Sequence, residues 1–399
     1  MSLALVINAG SSSLKFQLFD AGGADETPVF RGLFEGLSGT GGKPAHAVVK
    51  DGAGRGVLDE TWAVEAGRGH EQALERLFGW GRGAIEGRDI TGVGHRVVHG
   101  GPRHAKPVLV TEALIDELEA LNPLAPLHQP HNLAPIRIIR RMAPGLPQVA
   151  CFDTAFHRTQ PALAQLFAVP KEVTDRGVLR YGFHGLSYEH IASVMGDYDP
   201  ALAQGRVVVC HLGNGASACA MSGGRSVAST MGFSALDGLM MGTRSGAIDP
   251  GAVFYLLRDL KMSPAEAEQF LYTKCGLLGV SGVSNDMREL RQMAPGDAQV
   301  RLALDLYGYR IVREVGSLAA ALGGLDALIF TAGIGENDAA TRRQVLAQLG
   351  WLGFALDEGA NAAGGPCITT GPGPRAWVIP TNEELAIARH MAAVLAQGR

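Results

Sequence analysis

The chain has 399 residues, which at roughly 150 residues per domain gives two to three domains and room for a large enclosed core. Hydrophobic residues make up 46% and charged residues 19%, with 35 basic against 39 acidic side chains and a net charge of −4; this excludes a disordered chain and leaves no electrostatic case for nucleic acid or an anionic membrane. The outlier is glycine, with 54 residues, about twice the usual ~7%, so the chain needs many left-handed turns or close backbone approaches.

In chain order, strands are predicted over residues 3–7 and 14–19, flanking the polar turn Asn8-Ala9-Gly10-Ser11-Ser12-Ser13. Residues 39–60 read as a surface hairpin region without chemistry. Helices are predicted over 108–121 and 136–142, the second starting after Asn132 and Pro135 and stopping before Pro144-Gly145. A second strand, turn, strand unit follows, with strands over 207–212 and 216–221 on either side of Gly213-Asn214-Gly215. Helices come next over 252–260, 265–272 and 301–322. A strand over 327–330 leads into the loop Gly333-Ile334-Gly335-Glu336-Asn337, then a helix over 339–349. The chain closes with a strand over 377–379 and a helix over 383–395, for which Thr381 or Asn382 can serve as N-cap. The alternation predicts an α/β protein, and the two strand, turn, strand units point to a duplicated architecture.

Five cysteines, an odd number without C-x-x-C spacing, read as small core residues of a reducing compartment. No basic region precedes the first apolar run, and no run approaches the ~18 residues needed to span a bilayer. A soluble, cytoplasmic protein is expected.

The glycine loops carry the first functional signal. Gly10-Ser11-Ser12-Ser13, followed by Lys15, directs backbone N–H groups, hydroxyls and an ammonium toward one point, which suits phosphate oxygens. The loops at Gly213-Asn214-Gly215 and at 333–337 offer the same close backbone approach. The P-loop pattern is missing, because Gly41-Gly42-Lys43 runs into Pro44. A dinucleotide-binding domain would need a helix after 213–215, where the pattern is a strand. His95 and His99 have helical zinc spacing but lie in a β sequence, about 13 Å apart at ~3.3 Å per residue. Hard oxygen donors and a magnesium ion suit the residue set better. Four polar residues stand in apolar or glycine-rich surroundings: Arg96, Asp153, His184 and Arg244. They read either as buried ion pairs tying elements together or, beside three phosphate-type loops, as a phosphoryl-transfer site.

These motifs, from Asn8–Phe16 through 94–101, Phe152-Asp153-Thr154-Ala155-Phe156-His157, Tyr181-Gly182-Phe183-His184-Gly185, 211–215, 240–246 and 333–337 to Thr381-Asn382-Glu383-Glu384, resemble the acetate kinase family over essentially the whole chain. The resemblance implies two duplicated actin-like (ribonuclease H-like) α/β domains with the active site in the interdomain cleft. The first domain is expected over 1–150 plus 382–399 and the second, nucleotide-binding one over 151–381. The implied reaction is reversible, magnesium-dependent transfer of the ATP γ-phosphoryl group to acetate, giving acetyl phosphate and ADP, with manganese able to replace magnesium. By the same resemblance Asp153, His184 and Arg244 are catalytic. Arg96, Val98, Leu127 and Phe183 bind the carboxylate substrate, and Asn8 and Glu383 form the metal site. ATP falls to Lys15, to His211, Leu212, Gly213, Asn214 and Gly215, to Asp286, Met287 and Arg288, and to Gly333, Ile334, Gly335, Glu336 and Asn337. A homodimer is implied as well, with no nucleic-acid or membrane partner.

Acetate needs no deprotonation near neutral pH, so Asp153 reads physically as the residue that orients Arg96 or magnesium. Two departures from the family stand out: Ala235 where proline is usual, and Gln129 where asparagine is usual. Losing a proline ring from the pocket wall would make room for a methylene, worth only about 1–3 kcal/mol of discrimination, which keeps propionate as the alternative substrate. Two other classes compete, an ATP-driven binding or chaperone-like module of the same fold and a nicotinamide dehydrogenase resting on 213–215.

Overall fold

The computed structural model describes residues 2–21, 27–39 and 43–397; residues 40–42 of the 39–60 region lie outside it. The chain forms two compact units, Met1–Ala155 with Asn382–Arg399, and Phe156–Thr381.

The first unit is built on an eight-stranded sheet. Its strands are β1 (Leu3–Ala9), β2 (Ser13–Asp20), β3 (Phe30–Glu35), β4 (Ala45–Asp51), β5 (Gly56–Trp62), β6 (Ile90–Val97), β7 (Val108–Leu109) and β8 (Gln148–Phe152), in the order β5-β4-β3-β2-β1-β6-β8-β7. The hairpin β4–β5 occupies the region read as a surface hairpin. On β1 the apolar residues Leu3, Leu5, Ile7 and Ala9 alternate onto one face and enter a core with Phe16, Phe34, Leu74 and Ile139, as period-two patterning demands. The helix Glu383–Gln397 lies against β1 and β6. Gly92 and Gly94 make that approach possible, since a β-carbon at Gly92 would come 2.7 Å from Leu395 Cδ1 and one at Gly94 2.5 Å from Ile387 Cγ2. The β8 strand carries the first unit past position 150.

The second unit is built on β9 (Arg206–Leu212), β10 (Ala216–Ser222), β11 (Arg225–Ser229), β12 (Ala327–Thr331) and β13 (Arg375–Val378), ordered β11-β10-β9-β12-β13. Here β9 pairs antiparallel with β10 and parallel with β12, while β10–β11 is antiparallel and β12–β13 parallel. In the first sheet β3-β2-β1-β6-β8 repeats that order and sense strand for strand. The duplication therefore resides in hydrogen-bond topology. The turns Gly10–Ser12 and Gly213–Gly215 occupy equivalent places, each joining the central strand to its antiparallel neighbour.

Several expected boundaries move. The 108–121 segment is the short strand β7 followed by the helix Glu112–Glu119, because Thr111 accepts from the Leu114 N–H and starts the helix late. The predicted 136–142 helix begins instead at Gln129 with Pro130 in its first turn, and Pro135 lies inside it. Asn132 does not cap it. Its side chain turns inward, accepting from Val98 N–H at 2.8 Å and donating to the Ala9 carbonyl at 2.6 Å. The long helix is Ala298–Leu322, capped by Asp297. The 333–337 loop is a short helix, Ala332–Asn337, entered through a left-handed Ala332 (φ 66°) whose N–H donates to Glu336 Oε1 at 2.8 Å. Asn382 caps the last helix through the Leu385 N–H at 3.1 Å. All five cysteines are free, with Cys151, Cys210 and Cys219 buried in β8, β9 and β10.

Candidate active site

In the first unit the site begins on β6. Gly92, Gly94 and Arg96 share one face of that strand, with glycine wherever the C-terminal helix must come close, so the Arg96 side chain emerges at the helix N-terminus. Asp153, fully buried just past β8, receives Arg96 Nε at 3.0 Å and Nη2 at 2.6 Å on the same carboxylate. Arg96 Nη1 donates to Asn8 Oδ1 at 3.3 Å, and Arg96 Nε lies 3.9 Å from the Glu383 carboxylate. Asn8 stands directly across from Lys15 in the β1–β2 register, and Lys15 is exposed. Burial works against the Arg96 charge, but Asp153 and Glu383 outweigh it and hold its pKa above the ordinary value. Burial, with Asp153 and Glu384 adding to it against the opposing pull of Arg96, pushes Glu383 up to about 7. Oxygen donors from an amide and such a carboxyl fit magnesium, with most of its coordination left to phosphates and water; among the described residues no cluster of three His, Cys, Asp or Glu groups forms a self-sufficient metal cage. Val98 is buried and Leu127 is exposed.

Gln129 packs inside the first unit. Fully buried, it accepts from the His99 N–H at 3.2 Å and donates to the carbonyls of His99 and Leu118 at 3.0 and 3.2 Å. The departure at this position supports the segment after β6. His95 Nε2 lies 2.7 Å from Gln148 Oε1.

In the second unit His184 caps the helix Gly185–Tyr198 in the left-handed region, φ 57° and ψ 25°, a backbone state that a non-glycine residue adopts only under constraint. Its Nδ1 is 2.8 Å from Ser217 Oγ, and its ring stacks on that of His211 with centroids 4.2 Å apart. Arg244 is anchored by Nη1 donating to the Ala235 carbonyl at 2.8 Å. A β-carbon at Gly215 would lie 3.3 Å from His184 Nε2 and 3.5 Å from Arg244 Nη2, so the ends of both side chains converge over a residue without a side chain. At Gly242 a β-carbon would strike Asn214 Oδ1, and the Gly242 N–H donates to the Asn214 carbonyl at 3.0 Å; this locks the arginine loop to the glycine turn.

A cavity of about 980 Å³ opens beside that turn, large enough for a nucleotide. Gly213, Asn214, Asp286, Met287, Arg288, Gly333, Ile334 and Asn337 line it. His211, Leu212, Gly215, Gly335 and Glu336 do not. Leu212 and Gly335 are buried, and Glu336 Oε1 accepts from Ala332 N–H and from Thr381 N–H at 3.1 Å, tying the short helix to the end of the sheet. Hydrogen bonds from Arg288 hold Asp286 down to about 2. Phe183 is buried.

Sequence reasoning missed Ser217, Tyr188 and Arg342. Ser217 is the one hydroxyl in the first half of a strand otherwise made of alanine, cysteine and methionine, and that isolation was the available signal. Arg342 is 1% exposed and makes four bonds of 2.8 Å, to both oxygens of Asn361 and to the carbonyls of Gly335 and Glu336, closing the end of the short helix that lines the cavity. Within a run of two arginines it carries no sequence mark.

A glycine turn flanked by an arginine and a histidine, beside a nucleotide-sized cavity on a duplicated five-strand topology, defines a phosphotransferase of the actin-like class. The chain belongs to the Acetokinase family, whose family model matches residues 3–389. It is 50% identical over 399 residues to an acetate kinase of Rhodopseudomonas palustris, covering 99% of both chains. Among solved structures it resembles a propionate kinase from Francisella tularensis (36% identity, 98% of this chain and 99% of the other, TM-score 0.90) and the Porphyromonas gingivalis acetate kinase (34% identity, 99% and 100%, TM-score 0.87).

Proposed function

We propose that the protein transfers the ATP γ-phosphoryl group directly to acetate, forming the bond from a carboxylate oxygen to phosphorus as the bridging bond to ADP breaks. The convergence of His184 Nε2 and Arg244 Nη2 over Gly215 supports this reading most, because transfer catalysis rests on positioned donors around the phosphoryl oxygens. We assign Arg96 to the acetate carboxylate and Val98, Leu127 and Phe183 to contact with its methyl group, on the family resemblance. Asp153 acts through Arg96: with its carboxylate taken up by Nε and Nη2, and a substrate already ionised near neutral pH, no general base is required. The cavity lined by Gly213, Asp286 and Ile334 holds the nucleotide, and Lys15 is assigned an ATP phosphate contact on the family resemblance.

Asn8 and Glu383 hold the magnesium ion or manganese in its place. When bound, the ion neutralises charge on the phosphate oxygens. We assign the same reading a cytoplasmic homodimer without nucleic-acid or membrane partners. The free cysteines and the net charge of −4 support it; the homodimer rests on family resemblance, and sedimentation measures it.

The second reading is a propionate kinase. It draws on Ala235, where a methyl group replaces the family's proline ring, and on the likeness to the Francisella propionate kinase. Arg244→Ala tests the central role: kcat falls by at least ~10² while ATP still binds, and an unchanged kcat sinks the assignment.

A further inference from the structure

Behind His184 lies a chain of hydroxyls that the transfer reaction does not itself require. Ser217 Oγ sits 2.8 Å from His184 Nδ1 and 2.5 Å from Tyr188 Oη. All three groups are buried, Ser217 and Tyr188 completely. Donor counting fixes the direction. Tyr188 is a phenol, protonated near neutral pH, and Ser217 Oγ is the partner beside its oxygen. Burial in turn pushes the phenol pKa well above its ordinary value, so Tyr188 keeps its proton, and Ser217 Oγ is the acceptor placed to receive it. Ser217 then has its own proton to give, and His184 Nδ1 must accept it. An imidazole accepting at Nδ1 carries its proton on Nε2, the nitrogen beside Gly215 and Arg244 Nη2.

We propose that Tyr188 and Ser217 are positioning residues whose hydrogen-bond relay fixes His184 as a neutral imidazole in the Nε2–H form, aimed at the transferring phosphoryl group. His184 then contributes a directed hydrogen bond, and the positive charge is left to Arg244 and the metal. His211 has a relay of its own through Ser187 Oγ, 2.8 Å from its Nδ1, and Thr381 Oγ1, 2.8 Å further on.

The inference rests on the phosphoryl-transfer reading for its consequence but not for its geometry, and the test separates the two. Long-range 1H–15N correlation spectra of the histidine-labelled full-length protein at pH 7.5, assigned by loss of the His184 signal in His184→Gln, report the tautomer without any assay. The expected result is a single Nε2–H form in the wild type and a mixture of both tautomers in Ser217→Ala, with His211 unchanged. In parallel, kcat of Ser217→Ala and Tyr188→Phe falls about 10- to 100-fold, on the scale of losing a group that orients a ligand imidazole, while KM for acetate and ATP affinity hold. An Nδ1–H or doubly protonated His184 in the wild type overturns the relay, as does a tautomer that Ser217→Ala leaves unaltered. If the wild type gives no carboxylate-dependent transfer, the functional reading fails, and the spectra still decide the relay.

Discussion

Gly94 lies directly against Ile387. A β-carbon on Gly94 would sit 2.5 Å from Ile387 Cγ2 and 3.4 Å from the Ile387 carbonyl, so the absence of a side chain on β6 sets the height of the C-terminal helix, and with it the distance from Glu383 to Arg96. Gly94→Val therefore lifts the helix. A loss of about 1–3 kcal/mol is expected from overpacking, read from the urea midpoint, together with weaker magnesium activation. An unchanged midpoint would remove glycine's role here.

Asp153 and Arg96 make the second prediction. Asp153→Ala leaves a guanidinium without its fixed partner and costs about 3 kcal/mol, the low end for a buried pair because Arg96 keeps some solvent. Asp153→Asn keeps the shape and loses the charge. It should lower kcat/KM for acetate by about 10², mostly through KM, since a misdirected Arg96 binds carboxylate poorly. A kcat loss with KM unchanged would instead make Asp153 a proton carrier.

Much of this was legible in the sequence. Periodicity and turn residues located the two strand, turn, strand units, and the isolated polar residues Arg96, Asp153, His184 and Arg244 were visible because their neighbours are apolar or glycine. Gln129 and Arg342 were not legible for what they do, because an inward-turned amide and a buried guanidinium look like ordinary helix-surface residues until partners distant in sequence close on them. The start of the helix at Gln129 was hidden for a related reason: Pro135 normally marks a boundary, and tertiary packing around Asn132 overrode it.

Arg342 has no carboxylate among its hydrogen-bond partners; it is held by Asn361 and the carbonyls of Gly335 and Glu336. Arg342→Met strands those buried acceptors at about 1–3 kcal/mol each and loosens the helix that lines the cavity. Calorimetry should show both a lower unfolding temperature and weaker ADP binding. Retained ADP affinity would confine Arg342 to stability alone.

Acid stability follows from two buried histidines. Burial holds His95 and His157 down to about 4, against 6.5 when unfolded. The unfolded chain then binds more protons below pH 6.5, so their contribution is complete above that value and is lost as pH falls toward 4. Urea midpoints at pH 7.5, 6 and 5 should decline in that order. In His157→Gln the midpoint starts lower and declines less steeply; an equal slope would contradict the assignment.

On the proposed reading, Arg96, His184 and Arg244 serve transfer from ATP to a short carboxylate. The most direct measurement is kcat/KM for acetate, propionate and butyrate side by side with magnesium-ATP. Carboxyl phosphate formation is expected with acetate favoured, propionate within the ~10- to 200-fold that one methylene can impose, and butyrate poorer still. ATP hydrolysis at the same rate with and without any carboxylate would contradict it.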